Sequence, residues 1–175
     1  MDNLREKIKG GENFLEKLMR KIPGFQGYKN REQSRTADQI QRKFMAKELM
    51  QHKGHLTEVG QEMIRSGNLS LIAEVDRVTK IIDKVNDRIE HAAYGYSGLF
   101  DAVRIGEMEL DTLYEYDMEM VSNISSIGEA IDALEYSIDD EDKSKPKAKL
   151  RDVEKAVKAL DKKVMDRKKI LMGVE

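Results

Sequence analysis

The chain has 175 residues, with 31 Lys or Arg against 33 Asp or Glu, a formal net charge of −2. That near-balance removes any bulk electrostatic case for nucleic acid, and the length allows one domain around a single core. Charged residues at 37%, two prolines and 6% aromatics are the composition of long helices rather than of a sandwich, barrel or doubly wound sheet, and the absence of cysteine excludes a disulfide scaffold, a thiolate metal site and a cysteine nucleophile.

From the N-terminus, the first predicted element is a short amphipathic helix. Phe14, Leu15, Leu18, Met19 and Ile22 fall on one helical face, flanked by Lys17, Arg20 and Lys21. Such a face can lie in an anionic membrane interface or pack on a partner or on the chain's own helices. Ile22-Pro23-Gly24 ends it, so residues 1–24 read as an N-terminal amphipathic helix and 25–175 as the main helical unit.

The next helix is expected over about residues 30–66. Its apolar positions include Ile40, Phe44, Met45, Leu49, Leu56, Val59 and Met63, with His52 at the one heptad position between Met45 and Met63 that is not apolar. Gly67 suits a left-handed helix end, and Asn68 or Ser70 can cap the helix that follows, about 69–91. There Leu71, Val75, Val78, Ile82, Val85 and Ile89 are spaced 4-3-4-3-4 without a break. A third long helix, about 107–138, carries Met120, Ile124, Ile127, Ile131, Leu134 and Ile138. A fourth, about 147–172, carries Leu150, Val153, Val157, Leu160 and Val164, resuming at Leu171 after Arg167. Sustained three-four spacing on charged helices is a coiled-coil-like seam, and no period-two strand pattern competes. The expected fold is all-α: a long antiparallel four-helix bundle or coiled coil with a short N-terminal amphipathic helix.

Helix lengths bear on the long connection between residues 91 and 106, HAAYGYSGLFDAVRIG. An antiparallel hairpin turning at Gly67 stops the shorter helix near the level of Phe44, leaving about 20 Å of the longer one uncovered. Tyr94, Tyr96, Leu99 and Phe100 are placed to cover that gap. With Phe25 and Tyr28 they make a basal aromatic cluster, which either seals the core or docks a partner protein.

Charge is segregated along the chain: +5 over residues 1–60, −12 over 61–146 and +5 over 147–175. Lys29, Arg31, Arg35, Arg42 and Lys43 on one helix and Glu107 to Glu119 on another are expected at the same end of the bundle, with complementary signs.

The segments IPGFQGYKNREQSRTAD (Ile22–Asp38) and YGYSGLFDAVRIGEMELDTLYEYD (Tyr94–Asp117) resemble a family of uncharacterised prokaryotic helical proteins that share an IPG-x-x-GY start, a YGY-x-G-x-FDAV turn and an LD-x-LYE-[FY]-D helix start. The resemblance covers about a quarter of the chain and implies a helical fold without supplying an activity. In pattern alone, the long helices and amphipathic leader are similar to phage-shock-protein-A-like membrane-remodelling scaffolds.

Chemistry-bearing constellations are few. Asp111, Glu115 and Glu119 share a face, which could hold a hard divalent cation or an acid/base pair. The Glu-x-x-His pair of bundle di-metal sites is missing, and no phosphate-binding glycine motif occurs. No catalytic, metal or cofactor site and no small-molecule substrate is therefore expected. The expected function is a non-enzymatic helical scaffold or adaptor that self-associates or binds a protein partner. The alternative is a peripheral membrane-binding protein using residues 1–24, with a metal-dependent enzyme a distant third and nucleic acid disfavoured. With no apolar run near the roughly 20 residues of a membrane span and no signal pattern, the expected location is cytoplasmic, or peripheral to the inner face of the membrane.

Overall fold

The computed structural model describes residues 14–28, 31–91, 107–140, 142 and 144–172, and among these it is all-helical with no strand. Residues 14–21 form a short helix, α1. The long helices are α2 (Arg31–Arg65), α3 (Ile72–His91, preceded by a 3-10 turn at Leu69–Leu71), α4 (Glu107–Tyr136) and α5 (Lys145–Met172). Each lies within three residues of its expected bounds.

Local chemistry sets the boundaries. α2 ends in a Schellman motif: Asn68 N–H donates to the Met63 carbonyl (2.8 Å) and Gly67 N–H to that of Ile64 (3.2 Å), with Gly67 at φ 80°. A side chain at that φ is strained, so glycine is the residue that lets the chain reverse. Asn68 makes no side-chain cap bond; only its carbonyl is used, by Leu71 N–H at 3.2 Å. Before α5, Asp142 Oδ1 accepts from the backbone N–H and hydroxyl of Ser144 (3.0 and 2.7 Å), and Pro146 sits at the second helical residue, where its missing N–H costs nothing.

The helices pack α2 on α3, α4 on α5, α3 on α5 and α2 on α4. Their relative directions follow from which residues meet. Lys53 pairs with Asp83 (2.5 Å), and Arg42 donates to the Glu90 carbonyl (2.9 Å), so α2 and α3 are antiparallel. Lys163 with Glu119 and Arg167 with Asp117 make α4 and α5 antiparallel. Across the other two contacts the numbers rise together. Arg77 forks onto Glu154 and Arg88 pairs with Asp161, while His52 lies against Gly128 and His55 against Asp132 and Glu135. α3/α5 and α2/α4 are therefore parallel neighbours. The structure is two antiparallel hairpins side by side, not a ring in which every neighbour is antiparallel. In this order α3 and α4 are not neighbours, which is a physical reason for their long connection.

The heptad residues form one core. Met45, Leu49, Leu56, Met63, Val78, Ile82, Val85, Ile127, Ile131, Leu134, Val153, Val157 and Leu160 are all buried. At about 25 cal/mol per Å² of apolar surface, each such side chain contributes roughly 1.5–3 kcal/mol, the main driving force of the fold. α3 stops opposite Arg42, as its length predicted, and the Arg42 guanidinium satisfies a carbonyl of its last turn. Leu18, Ile22, Phe25 and Tyr28 are buried in the same core as the lower part of α2.

Candidate functional site

The end of the bundle below α3 is where apolar periodicity gives way to charge. Continuing the heptads of α2, α4 and α5 toward that end brings Asp38, Asp117 and Arg167 to core positions, and all three are 3% exposed or less. α2 contributes Asp38, Gln41 and Arg42, α4 contributes Tyr114 and Asp117, α5 contributes Arg167, and the segment after α1 contributes Phe25 and Tyr28.

Arg167 is the hub. Its Nε donates to Asp117 Oδ1 (2.6 Å), and its Nη2 lies 2.9 Å from Asp38 Oδ1, 3.0 Å from Tyr28 Oη and 3.3 Å from Gln41 Oε1. Asp38 Oδ2 accepts from Arg42 Nε at 2.7 Å. Tyr28 Oη lies 2.6 Å from Asp117 Oδ2 and 2.5 Å from Gln41 Oε1. A phenol has one proton; the carboxylate is the stronger acceptor, so the proton belongs to Asp117, and Gln41 Oε1 accepts from Arg167. Two carboxylates and two guanidinium groups leave the cluster neutral.

These surroundings fix the protonation states. Burial pushes the Tyr28 hydroxyl well above its usual range, reinforced by Asp117, so it stays a neutral donor. Burial alone would lower Arg167, but Asp117, Tyr28 and Asp38 outweigh it and hold the guanidinium charged. Tyr114 is also raised, chiefly by burial; its hydroxyl oxygen accepts the Tyr28 backbone N–H at 2.7 Å. That bond requires Gly27, at φ 82°, because a Cβ there would meet Tyr114 Oη at 2.7 Å and Leu15 at 2.9 Å.

Phe25, Tyr28 and Tyr114 form the aromatic part. Tyr28 and Tyr114 stack at 5.3 Å, and Phe25 stands edge-on to them at 5.6 and 6.5 Å. Of the expected aromatic cluster, the structure thus brings Phe25 and Tyr28 together at the base; Tyr94, Tyr96 and Phe100 lie outside the described residues. Of the amphipathic face, Leu18 and Ile22 are fully buried, Phe14 and Leu15 pack on the core at its margin, and Met19 is 48% exposed.

Asp38, Gln41, Asp117 and Arg167 were not singled out from the sequence. The signal was present, since Arg167 interrupts the apolar series of α5 and Asp117 sits at a seam position between Leu113 and Met120. The expected pairing of lower α2 with lower α4 is replaced by another: Asp117 and Glu119 pair with α5, and Arg42 pairs with Asp38 of its own helix.

Beside the network, a cavity of about 420 Å³ opens between the 24–27 segment and one face of α2. The described residues lining it, among them Gln26, Gln33, Thr36 and Ile40, carry amide, hydroxyl and apolar groups and no titratable side chain. Higher up, His52 is pushed down from its usual pKa by burial against Gly128, partly offset by Glu48 and Asp132. Among the described residues, no three His, Cys, Asp or Glu side chains are arranged to hold a metal ion, and no helix is long and apolar enough to cross a membrane. Searches of protein-family models, curated proteins and solved structures each gave no match to this chain.

Proposed function

We propose that the chain is a non-enzymatic helical scaffold or adaptor, built as a four-helix bundle that self-associates and carries protein–protein contacts. One observation carries this reading. The most strongly perturbed ionisable groups, Tyr28 and Arg167, are held inside a charge-neutral network that ties α2, α4, α5 and the α1 segment together. Perturbed groups in an enzyme converge on a space where substrate can sit. Here they face one another at 2.6–3.0 Å, and the neighbouring cavity is lined by neutral groups. The network works as a clamp, and what remains for recognition is the charged exterior of a rigid rod.

Light scattering after size exclusion, over a wide range of protein concentration, tests the reading. A mass that rises from one chain to a defined oligomer is expected; a single-chain mass throughout removes self-association. Flotation of the full chain and of a 25–175 truncation with anionic and neutral liposomes is the companion measurement. Flotation of only the full chain, and only with anionic lipid, would replace the scaffold reading by membrane binding through residues 1–24.

A further inference from the structure

The two helices of the second hairpin differ in charge more than any other packed pair. α4 carries nine Asp or Glu and no Lys or Arg, whereas α5 carries eleven Lys or Arg and four Asp or Glu. Part of this is satisfied within the chain, by Arg167 on Asp117 and Lys163 on Glu119. The rest lies outward. Glu115 and Glu129 are exposed on α4; on the far face of α5, Arg151, Lys155, Lys162 and Lys169 are exposed along a stripe about 27 Å long. Lys155 and Lys169 engage only Asp152 and Asp166 of their own helix, at 3.4 and 3.2 Å and in open solvent, pairs of the weakest kind.

We infer that the α4–α5 face is the self-association surface, and that a second copy of this chain docks on it about a two-fold axis parallel to the helices. This rests on the reading of the chain as a self-associating scaffold, and names the face that reading leaves open. Such an axis lays α4 of each copy against α5 of the other, acid on base twice over. A two-fold axis across the helices would instead set α4 on α4, and is excluded by repulsion between like charges. The register then follows from the chain's own pairs. Within the hairpin, Asp117 stands level with Arg167 and Glu119 with Lys163. The same heights put Glu115 of one copy opposite the second copy's Lys169, and Glu129 opposite the second copy's Lys155. Tyr136, 87% exposed at the upper end of α4, reaches the level of the second copy's Lys147, where a cation can lie over its ring. Ala148 and Ala159 on the outer side of α5 let the helices approach closely. Two helices 27 Å long, spaced 8–10 Å, present roughly 500 Å² per copy, about 1,000 Å² in total. That is the lower limit for a specific interface, so the dimer is weak and salt-sensitive.

The test is analytical ultracentrifugation of the full chain and two charge-reversed variants, Glu115→Lys/Glu129→Lys and Lys155→Glu/Lys169→Glu, with circular dichroism confirming helix content. At about 50 mM salt the wild-type chain should dimerise and dissociate as salt approaches about 1 M. Each variant alone should dimerise at least tenfold more weakly, and an equimolar mixture of the two should recover a heterodimer. A dimer indifferent to both reversals overturns the face while leaving the scaffold reading in place. A wild-type chain that stays a monomer at millimolar concentration overturns the face together with self-association. Growth into open-ended polymers overturns the two-fold arrangement.

Discussion

Replacing Arg167 by Met is the most direct test of the clamp, because methionine keeps much of the volume and the helix propensity while removing the charge and every donor. Three bonds go: Nε to Asp117, and Nη2 to Asp38 and Tyr28. Asp38 keeps Arg42 and Asp117 keeps the Tyr28 hydroxyl, but two buried carboxylates then face one guanidinium. Breaking a buried pair from one side costs about 3–5 kcal/mol, a large part of the 5–15 kcal/mol that holds a typical domain folded. With a urea slope of about 2 kcal/mol/M, the unfolding midpoint should fall by about 1.5–2.5 M at neutral pH. The gap should narrow toward pH 5, because a carboxylate left buried without a partner takes up a proton as pH falls and so relieves its charge. Asp117→Asn combined with Arg167→Met removes one charge of each sign and should recover at least half of the loss. A midpoint shift below about 0.5 M for Arg167→Met, or no recovery in the double variant, would refute the clamp.

Three further outcomes follow from the packing and the perturbed groups. Gly128→Ala would place a Cβ 2.5 Å from the His52 ring, costing about 1–3 kcal/mol in thermal or urea unfolding, and adding His52→Ala should relieve most of that cost. Because burial lowers the folded-state pKa of His52, the unfolded chain binds its proton first; stability should drop as pH falls below about 6.5, and His52→Gln should flatten that slope in urea midpoints between pH 7 and 5. Gly27→Ala forces a side chain onto φ 82° and into the Tyr114 hydroxyl, and should destabilise by more than about 1 kcal/mol and raise the hydrogen exchange of the Tyr28 amide that Tyr114 protects.

Helix positions were legible because one signal, apolar residues three and four apart on a charged background, decides them without tertiary information. The turn at Gly67 was equally local, since a left-handed helix end asks for glycine wherever it occurs. Relative placement was another matter. Heptad seams say that helices pack, not which ones, and the parallel contacts of α2 with α4 and α3 with α5 show only in long-range pairs such as Arg88–Asp161. The clamp was half legible. Tyr28 and Phe25 stood out as aromatics, but Asp117 reads in sequence as one more member of an acidic run and Asp38 as a surface residue near a helix start. Each becomes a core residue only when its heptad is extended past the last apolar position, and Arg167, interrupting the same pattern on α5, is the partner that makes the extension physical.

Why charge occupies those positions follows from the seam itself. Between parallel helices, an apolar heptad repeat offers nearly the same burial after a slide of seven residues, about 10 Å, so hydrophobic packing leaves the relative height of the two hairpins under-determined. The clamp removes that freedom, because a slide of one heptad would draw Asp38 of the first hairpin about 10 Å away from Arg167 of the second and leave both buried without each other. Replacing Asp117 and Arg167 together by Leu therefore has a definite expected outcome: helix content and stability close to the native chain, with the register of the hairpins loosened. Spin labels at the exposed positions Lys43 on α2 and Glu115 on α4 should report a distance distribution that broadens or splits in the double-Leu variant. A single unchanged distance would show that apolar packing alone sets the height. The same register keeps the faces of α4 and α5 aligned in every copy, so a variant with slipped hairpins should also present a less uniform surface to any partner that reads their charge.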